Sequence, residues 1–219
     1  MAQSITRLSG VNSLSGIIPA GNIANSTLDN ITTLPAAVPT GKLKLLSTAT
    51  ASASSSISFT SGIDSTYDVY QFEFINIHPQ NDARGFFVNF STDGGSNYNV
   101  VKTTTCFLAR QRETGTPADL AYKTGEDLAQ STADQILNQE IGNGADECVS
   151  GSMQLFNPSS TTYVKHFISR TNGYEGNFDY TFDWHTAGYC NTTSAINAVI
   201  FRFNSSNIDD GIIKMYGVK

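Results

Sequence analysis

No aromatic ring occurs before Phe59, although the chain of 219 residues holds 23, all at or after that position. Rings supply the largest buried surfaces of a core, so the folded body is expected to begin well inside the chain. Charge is scarce too, at 15% of residues, and Ser, Thr, Asn and Gly fill the polar positions. That composition excludes a coiled coil or long-helix protein and suits a β-rich, turn-rich chain. No Lys/Arg cluster is present to neutralise phosphates, which argues against nucleic-acid binding. No apolar run approaches membrane-span length, so no membrane insertion is expected. The early "IIPA" at residues 17–20 is too short for the apolar region of a secretory leader, and none is expected. The three cysteines, Cys106, Cys148 and Cys190, are odd in number and far apart. They lack CxxC or Cys/His spacing, so three free thiols and no zinc site are expected, in a chain made in a reducing cytoplasm.

The usual signatures of chemistry are missing as well. There is no GxGxxG or Walker pattern, and Gly142 and Gly144 lack a strand–helix context. Asp93 and Asp210 precede glycines without the ligand series of a calcium loop. His78 and His166 are isolated on strands. Asp183 and His185 stand two apart on one strand face, about 7 Å along it. That separation prevents a direct hydrogen bond unless the side chains lean together. Asp179, Asp183 and Glu175 are carboxylates without a discernible pairing for glycosidic cleavage. The expectation is a non-enzyme with no catalytic set, metal or cofactor.

What is present is period-2 patterning. "NFDYTFDWH" puts Phe178, Tyr180, Phe182 and Trp184 on one face and polar residues on the other, the mark of a half-buried strand. "GFFVNFS" alternates Phe86, Val88 and Phe90, and "TDGG" after it supplies a turn. "YQFEFINIH" changes phase between Phe74 and Ile75, which predicts a β-bulge. Further strands are expected at 98–108, 151–156, 162–170, 195–204 and 211–218. Eight or nine strands separated by turns read as an all-β antiparallel β-sandwich over residues 42–219, with a jelly roll the first choice. Residues 113–147 hold eight acids against the single base Lys123, and read as a solvated acidic insertion. Within them, 117–140 is a loop or a short helix. Tyr174, Trp184 and Tyr189 flank the glycine-bearing loops "NGYEGN" and "TAGYCN"; they are the candidate glycan contacts, against the alternative that Trp184 belongs to the core with Phe182.

Residues 1–41 differ from the rest. They carry three of the six prolines and regularly dotted aliphatics, and residues 13–39 hold one charge, Asp29. "LSGIIPA" and "LDNITTLPA" echo each other weakly. With no rings and no second layer, such a segment cannot bury its own Leu14, Ile17, Ile18, Ile23, Leu28, Ile31 and Leu34. These aliphatics are the candidate contacts of an extended arm that docks on another surface.

The arm "ITRLSGVNSLSGIIPAGNIANSTLDNITTLPA" resembles N-terminal segments of structural proteins from tailed bacteriophages of marine bacteria. "YDVYQFEFINIHP", "VNFSTDGGSNY" and "FRFNSSNIDDGIIKMYGVK" resemble the strands of the same proteins; residues 113–147 do not. The resemblance implies a virion protein assembled in the host cytoplasm, with an N-terminal anchor, a C-terminal β domain and commonly a homotrimeric state. Its partners would be other virion proteins and a host-surface glycan. A short fibre or tail appendage for host attachment is one expectation. A capsid decoration protein stapling capsomers is the alternative, and a carbohydrate-binding module or tail depolymerase the second.

Overall fold

The computed structural model describes residues 43–218. Among them there are twelve strands and no helix. The strands are β1 (Leu43–Thr50), β2 (Ile57–Phe59), β3 (Val69–Pro79), β4 (Arg84–Ser91), β5 (Lys102–Arg112), β6 (Ala118–Tyr122), β7 (Gln135–Ile141), β8 (Val149–Phe156), β9 (Lys165–Glu175), β10 (Tyr180–Cys190), β11 (Ala198–Phe203) and β12 (Ile208–Val218). The all-β antiparallel layout expected from the period-2 patterning is what forms. The docking arm lies outside the described residues.

Every strand pairing is antiparallel. One layer runs β1-β12-β3-β8-β9-β10-β5-β6, the other β7-β4-β11-β2. A single pairing of Ile141 with Glu175 joins β7 to β9, so the sheet folds over into a nearly closed, barrel-like sandwich. The layers meet through rings. Phe72 and Phe74 of β3 lie 5.3 and 5.1 Å, centroid to centroid, from Phe201 of β11, and Phe74 meets Phe86 of β4 edge-on at 5.2 Å. All four are buried. Each contributes about 1.5–3 kcal/mol by burial, and each ring pair adds ~0.5–1.5 kcal/mol.

The predicted bulge is present. The β3–β8 register shifts between Phe74 and Ile77, and Asn76 sits at φ 51°. The extra residue returns Ile77 to the core side, so Phe74 and Ile77 are both buried. "TDGG" turns as expected, with Gly94 and Gly95 at φ 73° and 90°. The strand read from "NFDYTFDWH" begins later, at Tyr180. Phe178 is 57% exposed because the buried Glu175 carboxylate accepts the backbone N–H groups of Asn177 and Phe178, both at 2.9 Å, and so builds a turn there.

Residues 113–147 are not wholly a solvated insertion. Residues 113–120 are exposed, but Gln135, Ile136, Leu137, Asn138 and Ile141 are buried in β7, which pairs with β4. The segment expected to be a loop or short helix is β6, a turn and β7. The acids stay outside and the apolar residues of β7 face inward, whereas Leu120 and Tyr122 of β6 are exposed. Ile136 packs with Cys106, Leu108 and Trp184 in a second small core beneath the β5–β10 part of the large layer.

Candidate docking face

The outer face of the eight-strand layer is ruled into rows by its register. One row passes from Leu45 to Tyr216, Gln71 and Gln154, then to Ile168, Ala187 and Thr105. The row beyond it begins with Leu43 beside Val218 and Val69 and ends with His166, Tyr189 and Thr103. The row on the other side carries Lys214, Glu73, Ser152, Arg170, His185 and Phe107.

At the β9–β10–β5 end the first two rows sink into a trough of about 430 Å³. Ala187 is its floor, a small residue among larger outward neighbours. Ile168 and His166 stand on one side, Thr103 and Thr105 on the other, and Tyr189 at the end. Gly188 points inward beneath it. A Cβ there would lie 2.5 Å from Thr104 Cγ2 and 2.7 Å from the Thr103 carbonyl oxygen, so only glycine lets β5 and β10 approach this closely. The Gln130 amide donates to Thr103 Oγ1 at 2.7 Å and to Tyr189 Oη at 3.3 Å, fixing both at the rim.

The structure separates the three candidate glycan residues. Tyr189 belongs to the trough. Tyr174 is on the same face but pairs with Thr181 near the other end of β9, eight residues from His166, or about 27 Å along the strand. Its hydroxyl donates to Asp179 at 3.3 Å. Desolvation, with the Asp179 and Glu113 carboxylates nearby, pushes its pKa up to about 12. Trp184 is corrected outright: it points to the opposite, inner face and is fully buried, and its Nε1–H donates to Thr186 Oγ1 at 3.1 Å. Alternation along β10 puts it on the Phe182 side, so no surface ligand stacks on it.

Asp183 and His185 do lean together, with Nε2 to Oδ1 at 3.3 Å. The carboxylate is nonetheless clamped by Arg170 through two hydrogen bonds of 2.9 and 2.8 Å, and that guanidinium, with a smaller contribution from His185, lowers its pKa. A general base near neutrality needs the opposite shift. His185 stacks on Phe107 at 4.7 Å. The patch is a polar ladder on the sheet face.

The inner face of the same strands holds a row with no sequence warning. Cys190 pairs with Lys102 on β5 and with Lys165 on β9, and all three are fully buried. Lys102 Nζ donates to Asn89 Oδ1 and the Val100 carbonyl at 2.7 and 2.8 Å. Lys165 Nζ donates to the Thr192 and Ser194 carbonyls. All three cysteines are free thiols. Among the described residues no three His, Cys, Asp or Glu side chains gather as a metal site, and no helix is long and apolar enough to cross a membrane.

Sequence reasoning missed Ile168, Ala187 and the row leading to them. Their outward alternation was readable in "HFISRTNGY", but the register joining seven strands into rows was not. No family model matches the chain, and neither the curated proteins nor the solved structures include a match.

Proposed function

We propose that the chain is a bacteriophage virion structural protein without enzymatic activity. Residues 1–41 anchor it to neighbouring virion proteins, and the β domain is carried outward as a short fibre or tail appendage that meets the host surface. The observation that carries this reading is the division of the chain. Eleven large aliphatics and no ring precede residue 42, while all 23 rings lie at Phe59 or later, so the two parts of the sequence differ in the apolar residues they offer.

The strand order supports a jelly-roll reading of the domain. β1 pairs with β12, β2 with β11, β3 with β8 and β4 with β7. These are nested pairs, as from one long hairpin wrapped across two layers. On that reading β5–β6 and β9–β10 are hairpins added to the layer edge. The Asp183 carboxylate, clamped and held ionised by Arg170, supports the non-enzymatic assignment.

The test is deletion of residues 1–41. The remaining domain should fold and stay soluble but fail to join particles; normal incorporation would overturn the anchoring role. Copy number on intact particles decides between a tail site, with tens of copies or fewer, and a capsid decoration site, with hundreds.

A further inference from the structure

Lys102 donates into a side-chain amide that is gripped from both sides. Asn89 of β4 and Lys102 at the start of β5 are 1% and 0% exposed, and they belong to opposite layers. Asn89 Oδ1 accepts from Lys102 Nζ at 2.7 Å and from the Phe90 backbone N–H at 2.8 Å. Asn89 Nδ2 donates to the Asp134 carboxylate at 2.8 Å and to the Thr132 carbonyl at 3.1 Å. Two donors on one side and two acceptors on the other fix which amide atom is oxygen and which is nitrogen. The segment carrying Thr132 and Asp134 is itself tied down. Ser131 and Lys102 exchange both backbone hydrogen bonds, at 2.8 and 3.0 Å, and Arg202 of β11 holds the Asp134 carboxylate at 2.6 and 2.9 Å.

We propose that Lys102 and Asn89 join through an isopeptide bond, a self-modification that links the two layers covalently. The Lys102 Nζ lone pair forms a bond to Asn89 Cγ and the Cγ–Nδ2 bond breaks. One proton passes from Nζ to Nδ2, which leaves as ammonia. Amine and carboxamide thus give a secondary amide and ammonia; nothing is oxidised or reduced, and no co-reactant is needed. Each chain reacts once, without turnover, so the non-enzymatic reading stands.

Each group has a place in that step. Burial brings the Lys102 pKa down to about 8, so roughly a tenth of the amines carry a free lone pair at pH 7. The Phe90 N–H faces the oxygen on which negative charge develops as Nζ moves from Oδ1 to Cγ. Asp134 Oδ1, hydrogen-bonded to the leaving nitrogen, is the proton carrier. The fold holds amine and amide together, which replaces an encounter in solution. The two residues are 13 apart in sequence, and the bond closes that segment between the layers. Lys102 titrates as an amine only in the chain before the bond forms.

The experiment uses the full chain, held folded at about pH 8, where burial leaves much of the Lys102 amine neutral. Its intact mass is then measured in denaturant beside that of Lys102→Met, which lacks the amine. The wild type should be lighter than its sequence by one ammonia, and the variant should keep its full mass. A succinimide at Asn89 would lose the same ammonia, so chymotrypsin separates the two cases. It cuts after Phe90 and Tyr98, and the fragments holding residues 89 and 102 should stay joined. Full mass in the wild type, or fragments that come apart, overturns the proposal. Asp134→Asn keeps an acceptor for Nδ2 but cannot carry the proton, and should slow the joining at least about tenfold. Joining at the wild-type rate in that variant overturns the part given to Asp134. Misfolding of Lys102→Met leaves the wild-type mass and fragments to decide.

Discussion

Lys102 faces Cys190 directly across the β5–β10 ladder, and both are fully buried. Burial disfavours the charged form of each. It pulls the Lys102 pKa from 10.5 down to about 8 and pushes the Cys190 pKa from 9.0 up to about 12.

These shifts give opposite pH dependences. Above about pH 8 the unfolded chain keeps the Lys102 proton while the folded chain releases it, so stability rises with pH, by at most ~1.4 kcal/mol per unit. From pH 9 the unfolded Cys190 ionises and the folded one does not, which opposes the rise. Urea titrations should show stability climbing between about pH 8 and 9 and flattening above it. In Cys190→Ala the climb should continue toward about pH 10. Equal slopes in the two proteins above pH 9 would contradict the assignment.

Gly188→Ala should destabilise the fold by about 1–3 kcal/mol, because its Cβ meets Thr104 Cγ2 and the Thr103 carbonyl. The same push separates β5 from β10 and widens the trough. Thermal melting reads the first effect and a crystal structure of the variant the second.

Thr186 Oγ1 accepts from Trp184 Nε1 and donates to the Ile136 carbonyl at 3.1 Å. Thr186→Val strands both partners in the core and should cost about 2 kcal/mol or more by urea denaturation. Thr186→Ser keeps the hydroxyl and should cost clearly less. A Thr186→Val cost close to zero would contradict the role given to the hydroxyl.

Cys148 is half-buried, whereas Cys106 and Cys190 are fully buried. An aromatic disulfide reagent should label one thiol readily in the native protein and the other two only on unfolding. Cys148→Ser should remove the fast phase.

Much of the β architecture was legible because alternation is a local property. Phe72 and Phe74, then the phase slip to Ile77, announced β3 and its bulge, and the Gly94–Gly95 turn followed from conformational freedom alone. The strand β7 was hidden because Gln135, Ile136, Leu137 and Asn138 are consecutive and all buried, which leaves no period-2 signal, and acids surround them. Nothing local in the sequence reveals that buried carbonyls receive the Lys102 and Lys165 ammonium groups. The outer face of the large layer was the least visible feature. Its rows join residues as distant as Leu45 and Thr105, and only strand register brings them together.

Leu43 sits opposite Val218, so the chain enters and leaves the domain at a shared corner. Cargo fused after Val218 would start beside Leu43. The far pole, where the turns at 80–83 and 176–179 lie, offers the roomier place to graft a foreign peptide for display.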